Sequence, residues 1–122
     1  MNCDRTQTFS TAAIASVLSG KSLCESFSEV YALVGFLTGD SGVSSQELEQ
    51  YTRLCRPFLL KQLPKMADVA LMAEVWNINN ETIAARFVDY LVELHGEIQT
   101  IKPLPYATQE YIQYSFLYQR KS

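Results

Sequence analysis

His95 is the single histidine in a chain of 122 residues, so any Ser-His or Cys-His nucleophile pair would have to use it as the base. It stands immediately before Gly96, at the expected end of a helix, where an imidazole is more simply a favourable partner for the helix C-terminus. No local nucleophile signature accompanies it. The three cysteines, Cys3, Cys24 and Cys55, are odd in number and widely spaced, with no C-x-x-C. With one histidine they match no zinc-site spacing, and no acidic loop follows the EF-hand pattern. Cys24 and Cys55 sit among apolar residues and read as buried free thiols rather than halves of a disulfide framework. Gly39-Asp40-Ser41-Gly42 is glycine-rich but lacks the Lys-Ser/Thr of a phosphate loop, so it reads as a plain connection. Gly20-Lys21-Ser22 carries the end of that motif, yet it lacks the upstream glycine and follows a helix instead of a strand. No catalytic, cofactor-binding or metal-binding residue is assigned. The chain is expected not to be an enzyme and to need no cofactor.

Three other sets could carry recognition. Arg53, Arg56, Lys61 and Lys65 lie in a stretch, 50–67, that holds no acid; they could meet phosphates or an acidic protein surface. Asp89, Glu93 and Glu97 recur every four residues and would line one helix face, if the helix extends that far. Aromatics gather at the C-terminal end as Tyr106, Tyr111, Tyr114, Phe116 and Tyr118. Of these, Tyr111, Tyr114 and Tyr118 share a helical face, and tyrosines supply rigid amphipathic contact area. Each set also has a plain reading, as solvated charge or core packing, which stays open here. The segment T-A-A-I-A-S-V-L looks like the first helix of a helix-turn-helix. The following helix, from Phe27 to Leu37, carries no Arg, Lys, Asn or Gln to read bases.

The elements that must position these residues follow from composition and periodicity. Hydrophobic residues make up 48% of the chain and charged residues 19%, too apolar for a disordered chain. Net charge is −3, so nothing global draws the chain to nucleic acid or an anionic membrane. The N-terminal segment does not read as a signal peptide, and no apolar run approaches the ~18 residues of a span. A reducing cytoplasm is the expected setting. Residues 1–8 read as a flexible end and 9–122 as one helical domain. Ser10 or Thr11 caps a helix with Ile14, Val17 and Leu18 on one face and Gly20 at its end. Ser26 or Ser28 opens a second helix that stops at Thr38-Gly39. A third starts near Ser44 or Ser45, with Pro57 kinking it or starting a new turn. Residues 65–78 are ambiguous. Asn80 caps a helix over roughly 81–95 with Ile83, Phe87, Tyr90, Leu91 and Leu94 as its buried face. A short strand is predicted near 97–102, and the tail after Pro105 reads as helix or strand, with helix preferred. The fold class is mainly α: a single compact domain of about five helices.

Two passages carry a resemblance. The first runs Phe9-Ser10-Thr11-Ala12, Ser16-Val17, Ser19-Gly20, Val30-Tyr31, Phe36-Leu37-Thr38-Gly39 and Cys55-Arg56-Pro57, with Leu59-Leu60 and Gln62. The second is Gly96-Glu97 with Pro103-Leu104-Pro105. Together they resemble a group of small uncharacterised proteins encoded by tailed bacteriophages and prophages. That resemblance implies an accessory protein acting in the host cytoplasm, and it supplies no functional residues. The expected function is stoichiometric binding to a host protein or complex, with counter-defence inhibition of the anti-CRISPR kind as its sharpest form. The alternatives are a nucleic-acid-binding regulator using the basic residues, and a small-ligand binder or enzyme with an unfamiliar site. A membrane partner is not expected, and homo-oligomerisation stays open.

Overall fold

The computed structural model describes residues 5–24 and 27–120. Cys3 and Ser26 lie outside the described residues. Strand β1 (Gln7–Ser10) pairs antiparallel with β2 (Ile98–Ile101), in a register running from Gln7 opposite Ile101 to Ser10 opposite Ile98. The strand expected near 97–102 is therefore present. Its partner includes Gln7 and Thr8, which were expected to belong to a flexible end. Their side chains are exposed and polar, so backbone pairing orders them without leaving a hydrophobic signal.

Helix α1 (Thr11–Ser19) begins where Ser10 Oγ accepts from Ala13 N at 3.1 Å and ends at Gly20, whose φ of +73° is the left-handed cap that glycine adopts without strain. Seven of its nine residues are buried, because α2 (Ser28–Thr38), α3 (Leu48–Gln62), α4 (Val69–Trp76) and α5 (Glu81–His95) all pack against it. Its Ala, Ser and Thr residues let these neighbours approach closely, and a helix surrounded on every side needs no polar face. Pro57 stays inside α3 without ending it. Arg53, whose carbonyl loses its partner at that ring, is exposed, so water can satisfy it. The ambiguous stretch resolves into a 3₁₀ turn (Pro64–Met66) followed by α4, which ends at Asn77 with φ +52°. Asn80 Oδ1 caps α5 by accepting from Ile83 N at 2.9 Å.

The turn from α5 into β2 is stitched to the start of α1. Thr11 N donates to the Glu97 carbonyl and Thr11 Oγ1 to that of Gly96; buried Gln99 donates to the His95 carbonyl and to Thr11 Oγ1. After Pro105 the chain forms a helix, α6 (Tyr106–Arg120). The described residues thus comprise six α-helices and one two-stranded ribbon around one hydrophobic core. Ile14, Leu33, Leu37, Leu59, Met66, Phe87 and Leu91 are among its fully buried side chains. No helix among the described residues is long and apolar enough to cross a membrane. One expected face is corrected: Tyr90 and Leu94 of α5 are exposed, while Phe87 and Leu91 are fully buried. The five-residue stripe is wider than the arc that α1 and α4 cover.

Candidate functional site

Helix α6 is placed by its inner side. Ile112 and Phe116 are buried, and Phe116 stacks on Tyr51 of α3 with ring centroids 3.9 Å apart. Leu104 N donates to the Leu37 carbonyl, so the segment between the two prolines is tied to α2 before α6 starts. Gln113 Nε2 donates to the Thr38 carbonyl at 2.6 Å and Gln109 Nε2 to that of Leu104 at 2.7 Å. These bonds close over Gly39. A Cβ there would meet Gln109 Oε1 at 2.4 Å, and its φ is +73°, so only glycine fits without displacement.

The opposite side of α6 faces solvent. At 100° per residue, Tyr106, Ala107, Glu110, Tyr111, Tyr114, Leu117 and Tyr118 fall on one arc of about 140°. The four tyrosines are each 65–73% exposed and Leu117 is half exposed. Tyr114 and Tyr118 lie ring to ring with centroids 6.2 Å apart. Glu110 is the one ionisable carboxylate on this arc and is itself exposed. The aromatic set read from the sequence is thereby divided: Phe116 goes to the core, and Tyr111, Tyr114 and Tyr118 form an outward face.

The basic set is only partly brought together: Arg53 and Arg56 border one cleft, and Lys61 and Lys65 do not. Arg53 Nη2 contacts Glu49 at 2.7 Å in an exposed pair one helical turn long. Arg56 is partly buried, and its Nε donates to the Val17 carbonyl at 2.7 Å. Lys61 lies about 140° around α3 from Arg56, and Lys65 belongs to the 3₁₀ turn; both are exposed. The acidic stripe is broken as well. Asp89 and Glu93 are exposed on α5, but the helix stops at His95, Gly96 turns with φ +91°, and Glu97 leaves the face.

His95 is the last residue of α5, directly before its Gly96 cap, as expected. Burial lowers its pKa below the ordinary value, and the nearby Lys65 charge lowers it further, so the site disfavours the cation that a helix C-terminus would welcome. Its Nε2 is buried and makes no hydrogen bond to a described residue. Cys55 is fully buried, and burial pushes its thiol up to about 12. Cys24 is partly exposed and also raised, chiefly by burial. The Gly39–Gly42 loop is structural, with Asp40 accepting from Gly42 N and from the Tyr51 hydroxyl. Among the described residues no three His, Cys, Asp or Glu side chains gather as a metal would require.

A second apolar surface escaped the sequence reading. Leu71 and Val75, one turn apart on α4, are exposed, as are Tyr90 and Leu94 on α5. Trp76 bridges the two helices by packing on Phe87 and Tyr90. The signal was present in α4, which is apolar nearly all round although it is short.

No curated protein and no solved structure matches this chain. A sequence family described as Domain of unknown function (DUF7736) matches residues 9–69, from the end of β1 to the start of α4; α6 lies outside the match. Since that span is half of the 122 residues, the chain belongs to the DUF7736 family.

Proposed function

We propose that this protein works as a stoichiometric binding partner, without turning over a substrate, and that the outward face of α6 docks into an apolar groove on a host protein or complex. The observation that carries this reading is the solvent-facing arc of four tyrosines and a leucine with one carboxylate among them. A helix that is apolar on its outer side as well as its inner side calls for a second covering surface. Four tyrosines exposed to about two-thirds offer on the order of 500 Å², a large share of the ~800 Å² per partner in a standard interface. Recognition of this kind is a helix-in-groove mode, with aromatic anchors carrying most of the energy.

Glu110 decides between occupants. It sits near the middle of the arc, so a two-fold pairing of α6 with a second copy would bring two Glu110 carboxylates together and desolvate them. A partner that presents a basic group at that point fits better. The phage and prophage resemblance supports a host-cytoplasmic setting, and inhibition of a host defence complex is the sharpest form of the proposal.

The test compares the full chain with Tyr111→Ser/Tyr114→Ser/Tyr118→Ser, three exposed positions whose replacement leaves the core intact. The chain is expected to form a defined complex with one host protein. Calorimetry on the purified pair should show a loss of 100-fold or more in the triple variant. Equal affinity in both would refute the proposal, as would a concentration-dependent homodimer, seen by sedimentation, that the triple variant abolishes.

A further inference from the structure

A cleft of about 470 Å³ opens between the C-terminal end of α1, the start of α2 and the N-terminal half of α3, a volume within the range of small-ligand sites. Three basic residues and one carboxylate from two distant segments line it: Lys21, Arg53, Arg56 and Glu49. Phe27, 52% exposed, stands at the same cleft. The walls include Gly20, Lys21 and Ser22, the motif fragment that resembles the end of a phosphate loop.

Arg56 is the built part of this site. Its Nε is fixed to the Val17 carbonyl at the end of α1, and its guanidinium lies over Gly20, where a Cβ would come 3.0 Å from Nη2. The missing side chain at Gly20 therefore gives the guanidinium its place. No carboxylate among the described residues pairs with Arg56, and its terminal nitrogens make no hydrogen bond to a described residue. A half-buried planar fork that is anchored at one nitrogen and open at the others suits a tetrahedral oxyanion. The two flanking cations are held only by exposed pairs, Lys21 with Glu74 at 3.4 Å and Arg53 with Glu49 at 2.7 Å. Solvent competes with such pairs, so a dianion can displace them. An exposed aromatic ring beside clustered cations is the combination that single nucleotides use, the base stacking on the ring and the phosphate meeting the charges.

We propose that this cleft binds a nucleotide unit, with its phosphate on Arg56, Arg53 and Lys21 and its base against Phe27. The geometry differs from a phosphate loop, because Gly20–Ser22 follows a helix and supplies side chains instead of a ring of backbone N–H groups. The site is separate from the α6 face, so its success or failure is independent of the binding function proposed above.

The test titrates the full chain with adenosine monophosphate, with a ten-residue single-stranded oligonucleotide and with inorganic phosphate, at low and moderate salt. Saturable 1:1 binding of either nucleotide probe is expected, weakened at higher salt. Tight binding of the monophosphate identifies a free nucleotide as the source, whereas binding of the oligonucleotide alone identifies a strand. Arg56→Gln should lose at least tenfold. Because Arg56 also braces α1, Lys21→Gln, at a partly exposed position, and Phe27→Ser, at an exposed one, give independent losses of several-fold. Lys61→Gln, outside the cleft, and the α6 triple variant should bind as the unaltered chain does. Absence of saturable binding to all three probes up to millimolar concentration would overturn the proposal. Binding of inorganic phosphate alone would overturn it too, as would nucleotide binding untouched by all three cleft variants.

Discussion

Replacing Phe116 with alanine tests whether α6 is held by its inner face. The ring is 2% exposed and stacks on Tyr51 at 3.9 Å with an interplanar angle of 18°. Truncation to Ala removes on the order of 120 Å² of buried apolar surface from a side chain of roughly 150 Å² or more, a loss of about 3 kcal/mol at ~25 cal/mol per Å². The lost ring stack adds roughly 0.5–1.5 kcal/mol. The sum, about 4 kcal/mol, lies within the ~3–5 kcal/mol range for Phe→Ala in cores. With a urea slope of about 2 kcal/mol per M, the midpoint should fall by about 2 M. Two probes separate the mechanisms. Trp76, the single tryptophan, packs on Phe87 and Tyr90 and reports on α4 and α5, whereas far-UV circular dichroism reports on every helix. Coincident downward shifts mean that α6 is part of one cooperative unit. An early dichroism step with an unmoved Trp76 transition means that α6 detaches by itself. If neither signal moves by more than the equivalent of ~0.5 kcal/mol, the anchoring role of Phe116 is refuted.

Gly39→Ala should cost about 1–2 kcal/mol by equilibrium denaturation, from the left-handed backbone and the displaced Gln109; Gly42→Ala, with an ordinary φ and a 3.5 Å neighbour, should be nearly neutral, and equal effects would reject the argument. His95 has a folded pKa below its ordinary 6.5, so the unfolded chain takes up the proton first as pH falls. Its contribution to stability is therefore complete above about 6.5 and is lost as pH drops through the folded value; the urea midpoint should fall between pH 7 and 5.5, and His95→Gln should flatten that slope. With Cys3 changed to Ser, one thiol, Cys24, should react with a disulfide reagent at pH 8, while Cys55, pushed up to about 12, should react only on unfolding; two fast thiols in the native protein would contradict the burial of Cys55.

Local chemistry made much of the helical framework legible. Gly20, Gly39, Asn80 and Gly96 are read correctly and Ser10 is one of the two caps offered for α1, because a cap needs only its own few residues and a backbone angle that few residue types tolerate. Ser28, Ser44 and Ser45 do not cap α2 and α3, since those helices follow Phe27 and Glu47 with no side-chain cap. The alternation of 97–102 likewise marks β2, since pleat period is a local property. What the sequence could not decide was which surfaces other elements cover. The partner of β2 lies about ninety residues away and begins with the exposed, polar Gln7 and Thr8, and the stripe on α5 loses Tyr90 and Leu94 to solvent because α1 and α4 cover only part of it. The same is true of the candidate sites. Tyr111, Tyr114 and Tyr118 are on one helical face by spacing, but only the seating of Phe116 against Tyr51 turns that face outward. Arg56 and the Gly20–Ser22 fragment meet across a sequence separation of more than thirty residues because α1 and α3 pack side by side. Periodicity and capping determined where the helices run. Mutual burial, which depends on every element at once, decided which of their residues are left to act.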